Sequence, residues 1–501
     1  MLEAFNFKLN KKNLVILFLF SFFLRLIVFL TFIRPEERYR QPDSTDYHVY
    51  AITMALGRGM CRLDNLKPVF WRTPGYPLYL SWFYDFFGIQ NARFSDSQQA
   101  QTAALLVQIL LCSFIPILIF FLALFLTKTA SIAWLTAWIS AIHLGFVLSD
   151  TYLLTESISM VFLIPFFIYF FKSFYTSLTT MPKPVPWAKN IILAAILLAI
   201  FTWIRPMGQF VAAASAVFII IFDRVNWKMK LKKIAVFSLV FLSLIGGWYV
   251  RNYNLTGYCF YCPMFGTYLN TFCAPKIVRA KTGKNLVDSI RHQYSLTGIQ
   301  GKKDYQVATA KGKAYVGSFS HLKVAIPVLL AHPFLFIKDW LVEVARTTFE
   351  LYSCQLVEFA KKTFHFDPPE EHITEKFADC LYKQKMHPIM RFIVYLELLF
   401  EILKWIGLIA GAFLFLFYPL FKRFRVPAYI KRTGLLWLKL TPMVVAFVMM
   451  TGGFGYARLR LPVEALMIIL SLTFWYWVLQ RKKLSRQKGH LKGKKSQNGQ
   501  K

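Results

Sequence analysis

Residues 13–33 read NLVILFLFSFFLRLIVFLTFI, a stretch whose only charge is Arg25. In lipid such a run has one outcome. The bilayer interior offers no partner to a free N–H or C=O, so the backbone must bond to itself as a helix, and about 20 apolar residues are enough to cross. Comparable runs recur near 99–126, 131–149, 153–171, 190–204, 207–222, 234–250, 391–419, 435–452 and 462–479. The expected fold is therefore an all-α polytopic membrane protein of about ten spans. Composition agrees, because 56% of the 501 residues are hydrophobic, well above the share in ordinary soluble domains. No small-residue cleavage site adjoins the first run, which is expected to be a retained helix and not a removed signal. The stretches 323–337 and 340–350 are also apolar, but HPFLFIKDWLVEVARTTF carries a charged stripe, which predicts a helix lying at the interface.

A net charge of +34 would raise nucleic-acid binding in a soluble chain; on this apolar background it reads as the positive-inside bias of a membrane protein. With the N-terminus in the cytosol, the inner segments are 172–189, 223–233, 420–434 and the tail 480–501, and all are basic. Loop 34–97 falls outside and balances eight basic residues against seven acidic ones; segment 351–390, also outside, is acid-rich. An even number of spans with both termini cytosolic fits every loop. The chain divides into an N-terminal transmembrane core, 1–250, containing the external loop 34–97 with its interfacial helices; a partly helical external segment, 251–390; C-terminal spans, 391–480; and a basic tail, 481–501. The tail is expected to be disordered and attracted to anionic lipid. No nucleic-acid partner is expected. There is no inverted pair of broken helices, and the strongest charges fall at the outer edge of the spans, which speaks against a transporter.

Polar residues stand out on the outer side. Asp43 and Asp46 follow the first span, and Arg72 lies in the same loop. Asp150 and Glu156 lie in SDTYLLTES, at the outer ends of the third and fourth spans; Arg205 sits in TWIRPMG, Arg251 in WYVRNY, and Arg458 and Arg460 in GYARLRLPVEA. Singly, each is an arginine at a helix end reaching for headgroups, or an acid in a first helical turn. Together they converge on one membrane face. Arg25, inside the first span, is costly to bury and should face the bundle with a partner. TPGYP at 73–77 should break any helix and turn the loop back to the membrane. CFYC at 259–262 lacks a second pair and is weak as a zinc signal.

Acids among arginines at headgroup depth suit one chemistry well. No cytosolic ATP or nucleotide sugar is present on the outer face, so a synthetic enzyme there needs a group already activated and carried across, such as a sugar on a polyprenyl phosphate. Arginines neutralise the phosphate leaving group, and a carboxylate takes the proton of the attacking acceptor. One carboxylate suffices for inversion.

The chain also resembles a known family on these same residues. PDSTDYHVYAITMALGRG, followed by FWRTPGYPLYLSWFYDFFG, is similar to the first external loop of the C-type glycosyltransferase superfamily, in its protein O-mannosyltransferase-like and aminoarabinose-transferase-like branch, often labelled dolichyl-phosphate-mannose-protein mannosyltransferase-like. The matching positions are Asp43, Tyr47, Ala51, Gly57, Arg72, Pro74, Gly75, Tyr76 and Pro77; then Glu156; Arg205 and Pro206; Trp248, Arg251 and Asn252; and Arg458, Arg460 and Pro462. The resemblance implies an inverting transfer from a polyprenyl-phosphate sugar. It implies Asp43 as base with Asp46 as rival, and Arg205, Arg251, Arg458, Arg460 and, more weakly, Arg72 as phosphate ligands. Tyr47 is a supporting residue, and Glu156 orients the acceptor or braces an arginine. Glu464 stands where the pattern expects a neutral residue. No metal cluster or cofactor is expected, although a divalent ion is not excluded. The acceptor, whether glycan, lipid or protein, stays open, and a bacterial inner membrane is the expected location. A polysaccharide polymerase or ligase and, behind it, a flippase or transporter are the alternative readings.

Overall fold

A computed structural model describes residues 10–32, 42–64, 66–89, 96–174, 187–297, 317–353, 388–417, 428–451 and 457–498. The charged rim Glu36, Glu37, Arg38 and Arg40, most of the acid-rich segment 351–390 and the basic residues Lys422, Arg423 and Arg425 lie outside these.

The chain is an all-α polytopic membrane protein. The helices in order are α1 (Lys11–Phe32), α2 (Pro42–Ala55), α3 (Gly75–Phe86), α4 (Gln98–Cys112), α5 (Ile115–Thr127), α6 (Ala130–Ile142), α7 (Leu144–Ser149), α8 (Glu156–Lys172), α9 (Trp187–Ile204), α10 (Gly208–Phe222) and α11 (Trp227–Thr256). Then come α12 (Met264–Tyr268), α13 (Ala274–Thr282), α14 (Leu286–Ser295), α15 (Gly317–Ala331), α16 (Pro333–Phe349), α17 (Pro388–Phe417), α18 (Ala428–Thr451), a 3-10 turn (Ala457–Arg460) and α19 (Leu461–Asn498).

Every predicted span coincides with helix. Among the described residues seven helices are long and apolar enough to cross a membrane, or eight if a bent pair counts as one span. That number is below ten because α6 and α10 have only 13 and 15 residues and α8 has 17, short of the roughly 20 that a straight crossing takes. The predicted interfacial stretch is two helices, α15 and α16, which meet at 105°. The charged stripe of α16 faces a partner: Lys276 of α13 lies 2.6 Å from Glu343 and 3.3 Å from Asp339. The tail departs from expectation. It continues α19 to Asn498, as a sequence of Lys, Arg, Gln and Leu without proline can.

Two ends of the bundle are distinguishable by their polar chemistry. At one end Lys233 is buried against Asp223 at 2.6 Å and donates to the Ser173 carbonyl at 2.7 Å. At the other, the first loop folds down onto the helix ends. Ser44 donates to the Leu153 carbonyl at 3.0 Å and Thr73 to that of Ile204 at 2.8 Å. TPGYP does not end a helix here but begins one. Pro74 caps α3 and Pro77 lies in its first turn, where a missing N–H costs no bond. Gly75 is required by contact: a Cβ there would lie 2.6 Å from the Trp203 backbone, so α3 abuts the end of α9 just before Arg205.

Arg25 finds the partner that its burial demands. Its Nε donates to Asp150, and Nη1 to Ser21 Oγ at 2.6 Å and to the Ala141 carbonyl at 3.3 Å. Gln108 donates to the Asp150 and Tyr152 carbonyls, both at 2.9 Å, and accepts from the Tyr76 hydroxyl. The turn that precedes Glu156 is thereby fixed.

Candidate functional site

Asp43 opens α2 directly after Pro42, and Asp46 and Tyr47 follow at i+3 and i+4, so the helix period puts all three on one face. Arg72 arrives from the far side of the same loop. Its Nη2 donates to Asp43 Oδ1 at 2.6 Å and its Nε to Asp46 Oδ2 at 3.0 Å, and the guanidinium lies 5.5 Å from the Tyr47 ring centre. Arg458, 415 residues along the chain from Asp43, donates from Nη2 to the other oxygen of Asp43 at 3.0 Å. Its Nε is 3.9 Å from Glu156 Oε1, and that oxygen is 3.2 Å from Arg205 Nη1. The six side chains form one alternating chain: Asp46, Arg72, Asp43, Arg458, Glu156, Arg205. It is assembled from two parts of the first loop, the start of α8, the α9–α10 turn and the 3-10 turn before α19.

The two aspartates differ. Both oxygens of Asp43 are engaged, whereas Asp46 offers only one to Arg72. Burial disfavours ionisation of Asp43, but Arg72 and Arg458 outweigh it and hold the carboxyl below its ordinary value. At Asp46 burial prevails over Arg72, the Asp43 charge adds to it, and the carboxyl is raised. Arg72 is held protonated, since its anionic neighbours overcome the cost of burial. Glu156 is buried, and its Oε2 has no hydrogen-bond partner among the described residues. The arrangement can hold an anion between arginines whose charges are already balanced, and it puts a carboxylate beside that anion.

Two predicted phosphate ligands stand elsewhere. Arg251 is clasped by the first loop: it donates to the Met60 carbonyl at 3.2 Å and the Val69 carbonyl at 3.4 Å, and it lies between Trp248 and Phe70, 4.3 and 5.3 Å from their ring centres. Trp248 and Asn252 donate to the Tyr261 carbonyl at 3.1 and 3.2 Å, so the WYVRN stretch staples loops together. Arg460 is fully buried and bonded to Glu464 and Glu401. Asp150 likewise belongs to Arg25.

Sequence reasoning did not single out Glu397, Glu401, Lys404 or His143, or give Glu464 a role. Glu397, Glu401 and Lys404 recur at i, i+4 and i+7 in α17, a spacing that puts three ionisable groups on one face of an apolar helix and was a usable signal. Contrary to the expectation that the strongest charges fall at the outer edge, these residues lie within candidate spans. Lys404 is 2.7 Å from Glu401 and also bonds Glu464. His143 Nε2 is 3.5 Å from Glu464. His143, Glu401 and Glu464 bring ligand atoms within 4.8 Å of one another, but the Lys404 ammonium already sits on an oxygen of each glutamate, where a metal ion would otherwise go.

No family model and no curated protein matches the chain. Two solved structures of the oligosaccharyltransferase of Archaeoglobus fulgidus align with it. One, the archaeal oligosaccharyltransferase AglB in complex with an inhibitory peptide and a dolichol-phosphate, does so with a TM-score of 0.49 and 13% identity over 95% of this chain and 51% of that chain. The other, the apo form, aligns with a TM-score of 0.48 and 12% identity over 95% and 52%. The chain thus spans about half the length of the structures it matches, and a likeness this slight bears on neither mechanism nor substrate.

Proposed function

We propose that the protein is a membrane glycosyltransferase that takes a sugar from a polyprenyl-phosphate donor and passes it, with inversion, to an acceptor on the outward face. The observation that carries this reading is the chain of alternating aspartates, arginines and glutamate at one end of the bundle. The donor phosphate takes the place of the Asp43 carboxylate on Arg72 and Arg458, with Arg205 behind them. Charge-assisted bonds to planar guanidiniums suit an anionic leaving group. Both oxygens of Asp43 are held by the two arginines the phosphate recruits. Donor loading therefore frees Asp43 and removes the charges that depress its basicity, and Asp43 then takes the acceptor proton. Asp46 stays on Arg72 Nε and Glu156 braces Arg205 and Arg458.

Purified protein with a labelled polyprenyl-phosphate sugar tests this. Label should leave the lipid for an added acceptor with wild type and not with Asp43→Asn. Unaffected transfer by Asp43→Asn sinks the mechanism and favours a polymerase or ligase that needs no first-loop acid. A second reading, translocation of a lipid-linked sugar, draws on the ionisable groups within α17 and α19. Label that crosses the membrane but never leaves its lipid would favour it.

A further inference from the structure

We infer that Arg460 is a positioning residue whose buried ion cluster fixes the 3-10 turn Ala457–Arg460, and that this turn presents Arg458 to the anion held beside Asp43 and Glu156. The inference rests on the transferase reading above for what Arg458 binds, but not for the anchor itself.

Arg458 and Arg460 are two residues apart and face opposite ways. Arg458 reaches Asp43 and Glu156. Arg460 uses its whole fork inside the protein: Nε donates to Glu464 Oε2 at 2.7 Å, Nη2 to Glu401 Oε1 at 3.0 Å, and Nη1 to the carbonyls of Thr347, at 3.1 Å, Thr348 and Glu350, at 3.3 Å. Those carbonyls end α16. The Glu350 carboxylate accepts the backbone N–H of Ala457, so one short segment holds the turn at both its first and last residue. The segment is itself held, because Glu397 of α17 accepts the backbone N–H groups of Tyr352 and Ser353 at 2.7 and 2.8 Å. Lys404 balances the remaining charge, so that Glu401 and Glu464 face Lys404 and Arg460. Glu464, unexpected in the sequence, is the i+4 partner of Arg460.

A lysine at 460 keeps the charge but has three donors on one point in place of a planar fork. It cannot serve two carboxylates and three carbonyls together. The turn then loosens, and Arg458 keeps its charge but loses its fixed direction.

The experiment uses the full chain in lipid nanodiscs with a polyprenyl phosphate as probe. Arg460→Lys, Arg458→Ala and the double variant are titrated, and amide exchange is followed over 457–460. Losing hydrogen bonds to charged groups predicts about tenfold or more faster exchange at this turn in Arg460→Lys, and about tenfold or more weaker probe binding in each single variant. The double variant should bind no worse than Arg458→Ala, because Arg460 acts through Arg458. Unchanged exchange, or losses that multiply in the double variant, would overturn the inference. Should Arg460→Lys not fold, Glu350→Ala removes the acceptor of the Ala457 N–H without emptying the buried cluster and is read the same way. Wild type that binds no polyprenyl phosphate counts against the transferase reading, whereas the exchange result alone carries or overturns the anchor.

Discussion

Asp43→Asn probes the site most directly, because the two aspartates hold their arginines differently. Both oxygens of Asp43 accept, Oδ1 from Arg72 and Oδ2 from Arg458. An asparagine has one carbonyl oxygen and one NH2, so one guanidinium must meet a donor. The loss is about one charge-assisted bond, ~1.5–3 kcal/mol, taken at the lower end because the aspartate side chain is 22% exposed. Asp46 uses a single oxygen, so Asp46→Asn can turn its carbonyl to Arg72 and lose less than about 1 kcal/mol. If Asp43 is the base, its variant also loses on the order of 10²–10⁴ in turnover, whereas Asp46→Asn stays within roughly tenfold. The pH profile separates the two independently. The acid limb of kcat/KM reports the unliganded enzyme. With Asp43, held low by its arginines, that limb falls below the ordinary aspartate value of about 3.9; with Asp46, raised by burial, it would lie above. The limb of kcat should sit higher than that of kcat/KM, since the donor phosphate draws the arginines off. Stability follows the same signs. The contribution of Asp43 is present above the unfolded value and lost as pH falls through the lowered folded value; that of Asp46 is present below the unfolded value and lost as pH rises through the raised one. Turnover by Asp43→Asn within tenfold of wild type, or a kcat/KM limb above the ordinary value, would refute the assignment.

Three further outcomes are expected. Arg72→Lys keeps a charge but not the fork across Asp43 and Asp46, and should weaken polyprenyl phosphate binding about tenfold in a direct titration. Gly75→Ala pushes a methyl to 2.6 Å from the Trp203 backbone, which cannot swing aside as a side chain would; thermal unfolding should show a loss of about 1–3 kcal/mol. Arg25→Leu strands Asp150 in a fully buried site and should cost about 3–5 kcal/mol in unfolding measurements, most of it recovered when Asp150→Asn is added.

The helices were legible because lipid leaves the backbone no alternative, and each predicted span is indeed helix. The convergence of Asp43, Asp46, Arg72, Glu156, Arg205 and Arg458 was legible from topology, as was the need of Arg25 for a partner. What could not be read was direction. Arg458 and Arg460 share one short motif, yet at three residues per turn their side chains leave the 3-10 turn about 120° apart, and only the packing of α16 and α17 decides which one enters the core. Arg251 looked like its neighbours in the sequence because a guanidinium that clasps carbonyls and one that pairs with carboxylates have the same composition. The buried cluster escaped because Glu397, Glu401 and Lys404 were absorbed into an apolar run whose overall character they do not change.

The alternating chain at the site contains three carboxylates and three guanidiniums paired with one another, so their charges offset and leave little to draw in dissolved anions. Free phosphate must pull each arginine from a partner already held, with only its bulk concentration behind it. A ligand tethered in the same bilayer meets no such limit, because confinement to two dimensions supplies the effective concentration that exchange requires. Under the proposed reading, the internal ion pairs act as a gate on the route of approach. They admit what slides in from the membrane and turn away what diffuses in from water.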